Sequence, residues 1–125
     1  IRQKPGEDNA LGLVKFMFPN PNNVYLHDTP AKQLFDREIR AFSHGCIRMQ
    51  NPKSFADLLL KNKPEWTSDR IWEAMNQSKE QIVQLDKKIP VVIIYLTMTL
   101  DAKGNPMFSK DVYRRDEEVL SLLRR

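Results

Sequence analysis

Seven consecutive residues, Pro90-Val91-Val92-Ile93-Ile94-Tyr95-Leu96, carry no charge, and four of them branch at Cβ. A bilayer needs about 20 apolar residues in a helix, so this run is far too short to span one. Cβ branching favours the pleated backbone over the helix. The run therefore predicts a buried strand over 91–100, followed by a turn at Asp101-Ala102-Lys103-Gly104-Asn105 and a short returning strand at 107–109. A buried strand needs a sheet and something packed on it, which directs the rest of the chain toward a β-containing core.

At 125 residues and 41% hydrophobic content the chain predicts one small soluble domain, 1–125. Its formal charge of +4 is spread along the sequence, and no nucleic-acid-binding signature accompanies the basic residues, so nucleic acid is not an expected partner. The chain begins at Ile1 without a basic, apolar and small-residue leader, which is read here as a processed or truncated start.

The remaining elements follow from local signals. Leu13 to Phe18 reads as a strand, Pro19-Asn20-Pro21-Asn22-Asn23 as a turn, and Val24 to His27 as a second strand. Alternation sets Val24 and Leu26 on one face and Tyr25 and His27 on the other. Thr29-Pro30 predicts a helical turn over 31–35, and 37–42 reads as extended. Asn51-Pro52, followed by apolar Phe55, Ala56, Leu58 and Leu59, predicts an amphipathic helix over 52–61. A second helix over 68–77 is predicted from a Thr67 or Ser68 cap and Asp69 in the first turn, with Trp72 in the core. Acidic residues at its start and Arg124-Arg125 at its end predict a C-terminal helix over 116–125. The fold class expected is α+β, a β-rich mixed sheet with peripheral helices.

Chemistry concentrates in Phe42-Ser43-His44-Gly45-Cys46-Ile47-Arg48, where the chain's one cysteine follows one of its two histidines; the other, His27, lies 19 positions upstream. A lone cysteine is ordinarily a small buried hydrophobe, and it can form no disulfide within the chain. A neighbouring imidazole changes that reading, because the thiolate is the nucleophile and histidine can take the proton. Both His27 and His44 are candidates for the base. Gly45 permits close backbone approach, so amides near Cys46 can stabilise a tetrahedral oxyanion. For Arg40 and Arg48, a surface charge and a carboxylate-binding role stand equally open. A second class of reading gives His27, His44 and Cys46 to a zinc ion, against which stands the lack of paired-cysteine spacing.

His27, followed at a distance by Ser43-His44-Gly45-Cys46, resembles the signature of the L,D-transpeptidase (YkuD-type) catalytic domain. Asn9-Ala10-Leu11-Gly12, Tyr25-Leu26-His27-Asp28-Thr29-Pro30, Ile89-Pro90-Val91-Val92 and Asp111-Val112-Tyr113 look like the large periplasmic branch of that family. The resemblance implies a periplasmic enzyme acting on peptidoglycan tetrapeptide stems, with carbapenem-type β-lactams as covalent inhibitors and no cofactor. It makes Cys46 the nucleophile forming a thioester, His27 the base, and the backbone carbonyl of Asp28 the group that orients the ring, a role indifferent to the Asp28 side chain. His44 and Gly45 would shape the pocket and oxyanion hole, and Tyr25, Ser43 and Arg48 would contact substrate. The implied outcome is a 3-3 cross-link, with wall-protein attachment or L,D-carboxypeptidase activity differing in the acceptor.

Arg48 stands where many members of the family have asparagine. Members of this branch also carry further N-terminal strands, a cap and a glycan-binding module, so the chain is expected to be the C-terminal portion of the catalytic domain, with membrane anchoring through upstream segments. Leu13 to Phe18 is apolar on both faces, which predicts an uncovered apolar surface or sheet edge in this chain alone.

Overall fold

The structure, a computed structural model, describes residues 3–6, 8–42 and 45–124. It divides into two compact units, 1–89 and 90–125. The segment after residue 89 makes its contacts largely among its own residues.

Unit 1 opens with β1, Lys15–Phe16, antiparallel to β2, Leu26–His27, with Lys15 opposite His27. The turn between them is built by Asn20. Its amide donates to the carbonyls of Phe18 and Val24, at 3.0 and 2.7 Å, and its Oδ1 accepts from the Asn22 and Val24 amides. Asn23 takes φ +52, a left-handed conformation that asparagine tolerates better than most residues. Both strands are shorter than the sequence suggests, because only these residues find ladder partners.

A 3-10 turn, Lys32–Asp36, occupies the place of the predicted helical turn, with the Ala31 amide donating to Thr29 Oγ1 at 3.2 Å. The stretch 37–42 is irregular rather than a strand. The extended pairing falls instead on β3, Ile47–Arg48, which lies parallel to β2 in the order β1-β2-β3. The sheet is therefore mixed, as the expected fold class has it.

Two helices follow. α1, Pro52–Leu60, starts with proline at its first position, where the missing N–H costs nothing. α2, Ser68–Met75, is capped by Thr67, whose hydroxyl accepts from the Arg70 amide at 3.3 Å. Their packing buries Ala56, Leu60 and Ile71, and Phe16, Trp66, Met75, Val83 and Leu85 lean on that cluster. Phe16 and Phe55 meet edge to face, with centroids 4.9 Å apart, which joins the sheet to α1.

Trp72, predicted in the core, is 52% exposed. One helical position turns a side chain by about 100°, and Ile71 takes the inward direction. Trp66, before the helix, packs on the cluster and stacks beneath the Arg70 guanidinium, 5.2 Å from its centroid. Met17 is 71% exposed while Leu13, Phe16 and Phe18 are half-buried, so an apolar surface on this strand does lie open.

Unit 2 contains the hairpin β4, Met98–Leu100, and β5, Pro106–Phe108, then α3, Asp116–Leu123. Asp101 closes the hairpin turn, its carboxylate accepting from the Lys103 and Asn105 amides, both at 2.8 Å, with Gly104 at φ +84. Thr97 donates to Asp116 at 2.8 Å, tying the start of α3 to the hairpin. Of the buried strand predicted over 91–100 only Met98–Leu100 forms, and it is exposed. Residues 91–97 have no ladder partner among the described residues, and Val92 is 81% exposed. Apolar residues are buried only by something packed against them, and this unit offers just one hairpin and one short helix.

Candidate active site

The parallel pairing of β2 and β3 sets the geometry of the site. Leu26 is opposite Ile47 and His27 opposite Arg48, with Ile47 donating to the Tyr25 carbonyl at 3.0 Å and Met49 to the His27 carbonyl at 2.8 Å. Continuing the register one step back sets Cys46 level with Tyr25. Because side chains alternate along a strand, Tyr25, His27, Cys46 and Arg48 share one face. The Tyr25 and His27 rings meet edge to face, 5.9 Å between centroids.

Cys46 is half-buried at the entrance to β3. Its thiol lies 4.0 Å from the Asn23 carbonyl and within hydrogen-bonding reach of the Tyr25 hydroxyl. Burial, the hydrogen bond to Cys46 and the charge of the thiolate all push the Tyr25 hydroxyl above its ordinary value of 10.0. Gly45, just before the cysteine, has φ +106, a conformation that side chains rarely adopt.

His27 is buried, and its Nδ1 contacts the Asp28 carbonyl. A carbonyl only accepts, so Nδ1 carries the hydrogen and Nε2 is left as the basic nitrogen of the neutral ring. The Asp28 carboxylate is occupied as well. Oδ2 accepts from the Leu13 amide at 2.9 Å and Oδ1 from Lys32 Nζ at 2.6 Å. Burial works to raise the Asp28 pKa, but the Lys32 ammonium and the Leu13 and Thr29 amides outweigh it and hold the carboxyl below its ordinary value of 3.8. Gly12, at φ +62, leaves room for this carboxylate; a Cβ there would collide with Asp28 Oδ2.

Tyr25, His27, Asp28, Gly45, Cys46 and Arg48 thus gather about two adjacent strands, whereas Ser43 and His44 lie outside the described residues. Lys32 and Asn23 were not singled out in the sequence. Lys32 follows Asp28 by four residues, but that spacing brings charges together along a helix, and here it runs from the end of β2 to a 3-10 turn, so local spacing carried no signal for the pair. Asn23 belongs to a turn whose direction back toward the cysteine depends on the pairing of β2 with β3. Among the described residues, no group of three or more His, Cys, Asp or Glu is placed to hold a metal ion; the proposed His27, His44 and Cys46 set includes a residue outside that description.

A cleft of about 260 Å³ borders the site, formed by Met17 to Asn20 and by Asn23, Val24 and Tyr25. A second hollow, about 330 Å³, runs beside α2 among Arg70, Glu73 and Gln77 and touches none of the site residues. Among the described residues, no helix is long and apolar enough to cross a membrane.

A Haemophilus influenzae protein provisionally named an L,D-transpeptidase is 35% identical over 119 residues, an overlap that takes in 95% of this chain and 24% of that protein. The chain thus spans about a quarter of that relative's length. The model of the L,D-transpeptidase catalytic domain matches residues 1–93, which takes in all of unit 1 and both strands of the site. The strand pair bearing His27 and Cys46 therefore falls within a matched region of well over half the sequence, and the chain belongs to the L,D-transpeptidase catalytic domain (YkuD) family.

Proposed function

We propose that the chain belongs to the catalytic domain of a periplasmic cysteine acyltransferase that cuts and rejoins peptidoglycan tetrapeptide stems. The observation that carries this reading is the β2–β3 register, which sets a cysteine and a tethered histidine on one face beside a cleft. Cys46 Sγ attacks the carbonyl carbon between the third and fourth stem residues as its proton passes to His27 Nε2. The negative charge on the carbonyl oxygen is met by backbone amides around Gly45 and Cys46. The C–N bond then breaks, the leaving D-Ala nitrogen takes the proton from His27, and a thioester remains on Cys46.

An acceptor amine attacks the thioester, His27 takes its proton, and the thiol is regenerated. With the amine of a second stem as acceptor the product is a 3-3 cross-link; attachment of a wall protein or hydrolysis follows the same first half-reaction. Tyr25, Arg48 and Ser43 are assigned to substrate contact, with the cleft at Met17–Tyr25 receiving part of the stem. His44 is assigned to the pocket wall. No cofactor enters the reaction.

A carbapenem is expected to acylate Cys46, visible as a mass increase of the intact protein. Cys46→Ala should abolish both the adduct and product formation and still fold, since removing a thiol opens little space. An adduct that persists in Cys46→Ala would sink the assignment of the nucleophile.

A further inference from the structure

The pairing that sets the site's geometry is short. β2 and β3 share two residue pairs, and a slip of one residue would turn Cys46 to the opposite face of the sheet. A ladder of this length needs another tie between its strands. Lys32 is placed to be that tie. Its ammonium donates to Asp28 Oδ1 at 2.6 Å, to the Met49 carbonyl at 3.1 Å and to the Gln50 carbonyl at 2.9 Å. An ammonium has three N–H groups, so all are used.

Those acceptors belong to two different segments. Asp28 directly follows His27 at the end of β2, and Met49 and Gln50 directly follow β3, the strand entered through Cys46. Asp28 is also held from its other side: its amide donates to the Val14 carbonyl at 2.9 Å, Oδ2 accepts from the Leu13 amide, and Gly12 leaves it space. Its carbonyl meets His27 Nδ1. One cation therefore grips both the residue that orients the imidazole and the exit of the strand that carries the thiol.

We infer that Lys32, acting through the Asp28 carboxylate, is a positioning residue for acyl transfer, holding the His27 ring and Cys46 in register. The inference rests on the assignment of His27 as base and Cys46 as nucleophile. The Lys32 side chain is 45% exposed and that of Asp28 9%, so losing the ammonium leaves a largely buried carboxylate without its cation and lowers stability as well as rate. The alkylation profile of the folded protein separates the two effects. A misplacement of about 1 Å at reacting groups can cost on the order of 100-fold in rate.

The test uses the full-length protein with Lys32→Met, which keeps the aliphatic stem and removes the donors, and with Lys32→Arg. Two readouts are taken: the rate of carbapenem acylation, and the pH profile of iodoacetamide alkylation at Cys46 located by peptide mass. Lys32→Met should slow acylation about tenfold to a hundredfold and move the alkylation midpoint upward, and Lys32→Arg should recover most of both. Wild-type rate and profile in Lys32→Met overturn the inference. So does a lower melting temperature with an unmoved alkylation profile of the folded protein.

Should Lys32→Met fail to fold, Asp28→Asn keeps an acceptor for the Leu13 amide and weakens the ion pair; the same shift supports the strut and its absence overturns it. If wild-type protein takes up no carbapenem, the acyl-transfer reading fails, while the alkylation profile still decides the strut.

Discussion

The two units of this chain invert the usual relation between hydrophobic sequence and core. Unit 2 carries the most apolar run in the protein, Pro90 to Leu96, and exposes every residue of it; unit 1 has no run of that kind, yet holds Ala56, Leu60 and Ile71, the buried hydrophobics among the described residues. The difference lies in partners. α1 and α2 present apolar stripes that face each other, and Phe16, Trp66, Met75, Val83 and Leu85 pack against them. In unit 2 a hairpin and one helix expose Leu100, Phe108, Leu122 and Leu123 along with the run. Composition measures the tendency to leave water, while the supply of opposing surfaces determines whether that tendency is met. The candidate chemistry belongs wholly to unit 1.

That contrast can be broken most directly at His27, the base in the proposed reaction. His27→Ala should lower the rate of Cys46 acylation by about 10² to 10⁴-fold, the usual contribution of a positioned base. Val119→Ala on α3 should leave it unchanged. Equal losses from the two substitutions, in folded protein, would mean that unit 2 takes part in the chemistry.

The contrast in burial is sharpened by comparing truncations. Leu60→Ala removes part of a side chain that is 8% exposed and should cost about 2–5 kcal/mol in chemical denaturation. Val92→Ala, at a residue 81% exposed, should stay within about 0.5 kcal/mol. A cost at Val92 approaching that at Leu60, measured in the full-length protein, would show that the run is covered there.

The smallest effect concerns Asp28. Its folded-state pKa lies below the unfolded value of about 3.9, because Lys32 and two backbone amides outweigh the opposing effect of burial. The carboxylate therefore contributes stability that is complete above about pH 4 and is lost as the pH falls through the folded value. Asp28→Asn should flatten the acid limb of the stability profile and leave the neutral limb unaltered in slope. An unchanged acid limb would mean that the Lys32–Asp28 pair does not persist in solution.

Several features were legible in the sequence because their causes lie within a few residues. Pro52 and the spacing of Phe55, Ala56 and Leu59 specify α1, although the Asn51 side chain makes no capping hydrogen bond, and Thr67 with Asp69 specifies the start of α2. Pro19 to Asn23 and Asp101 to Asn105 specify the two hairpin turns. The cysteine, the upstream histidine and the glycine between them were likewise visible as a motif, and alternation already put Tyr25 and His27 on one face.

Other features were decided only when distant segments met. Cys46 lies level with Tyr25 because β2 and β3 pair in parallel at one register, and a residue in one strand carries no mark of its partner in another. Ile71 rather than Trp72 faces inward because α1 lies on that side. Lys32 becomes a strut because the end of β3 passes within reach of its ammonium, a proximity that no local spacing encodes. Residues 91–97 are exposed for the converse reason: a strong preference for burial in the sequence has no effect until tertiary structure supplies a surface to pack against.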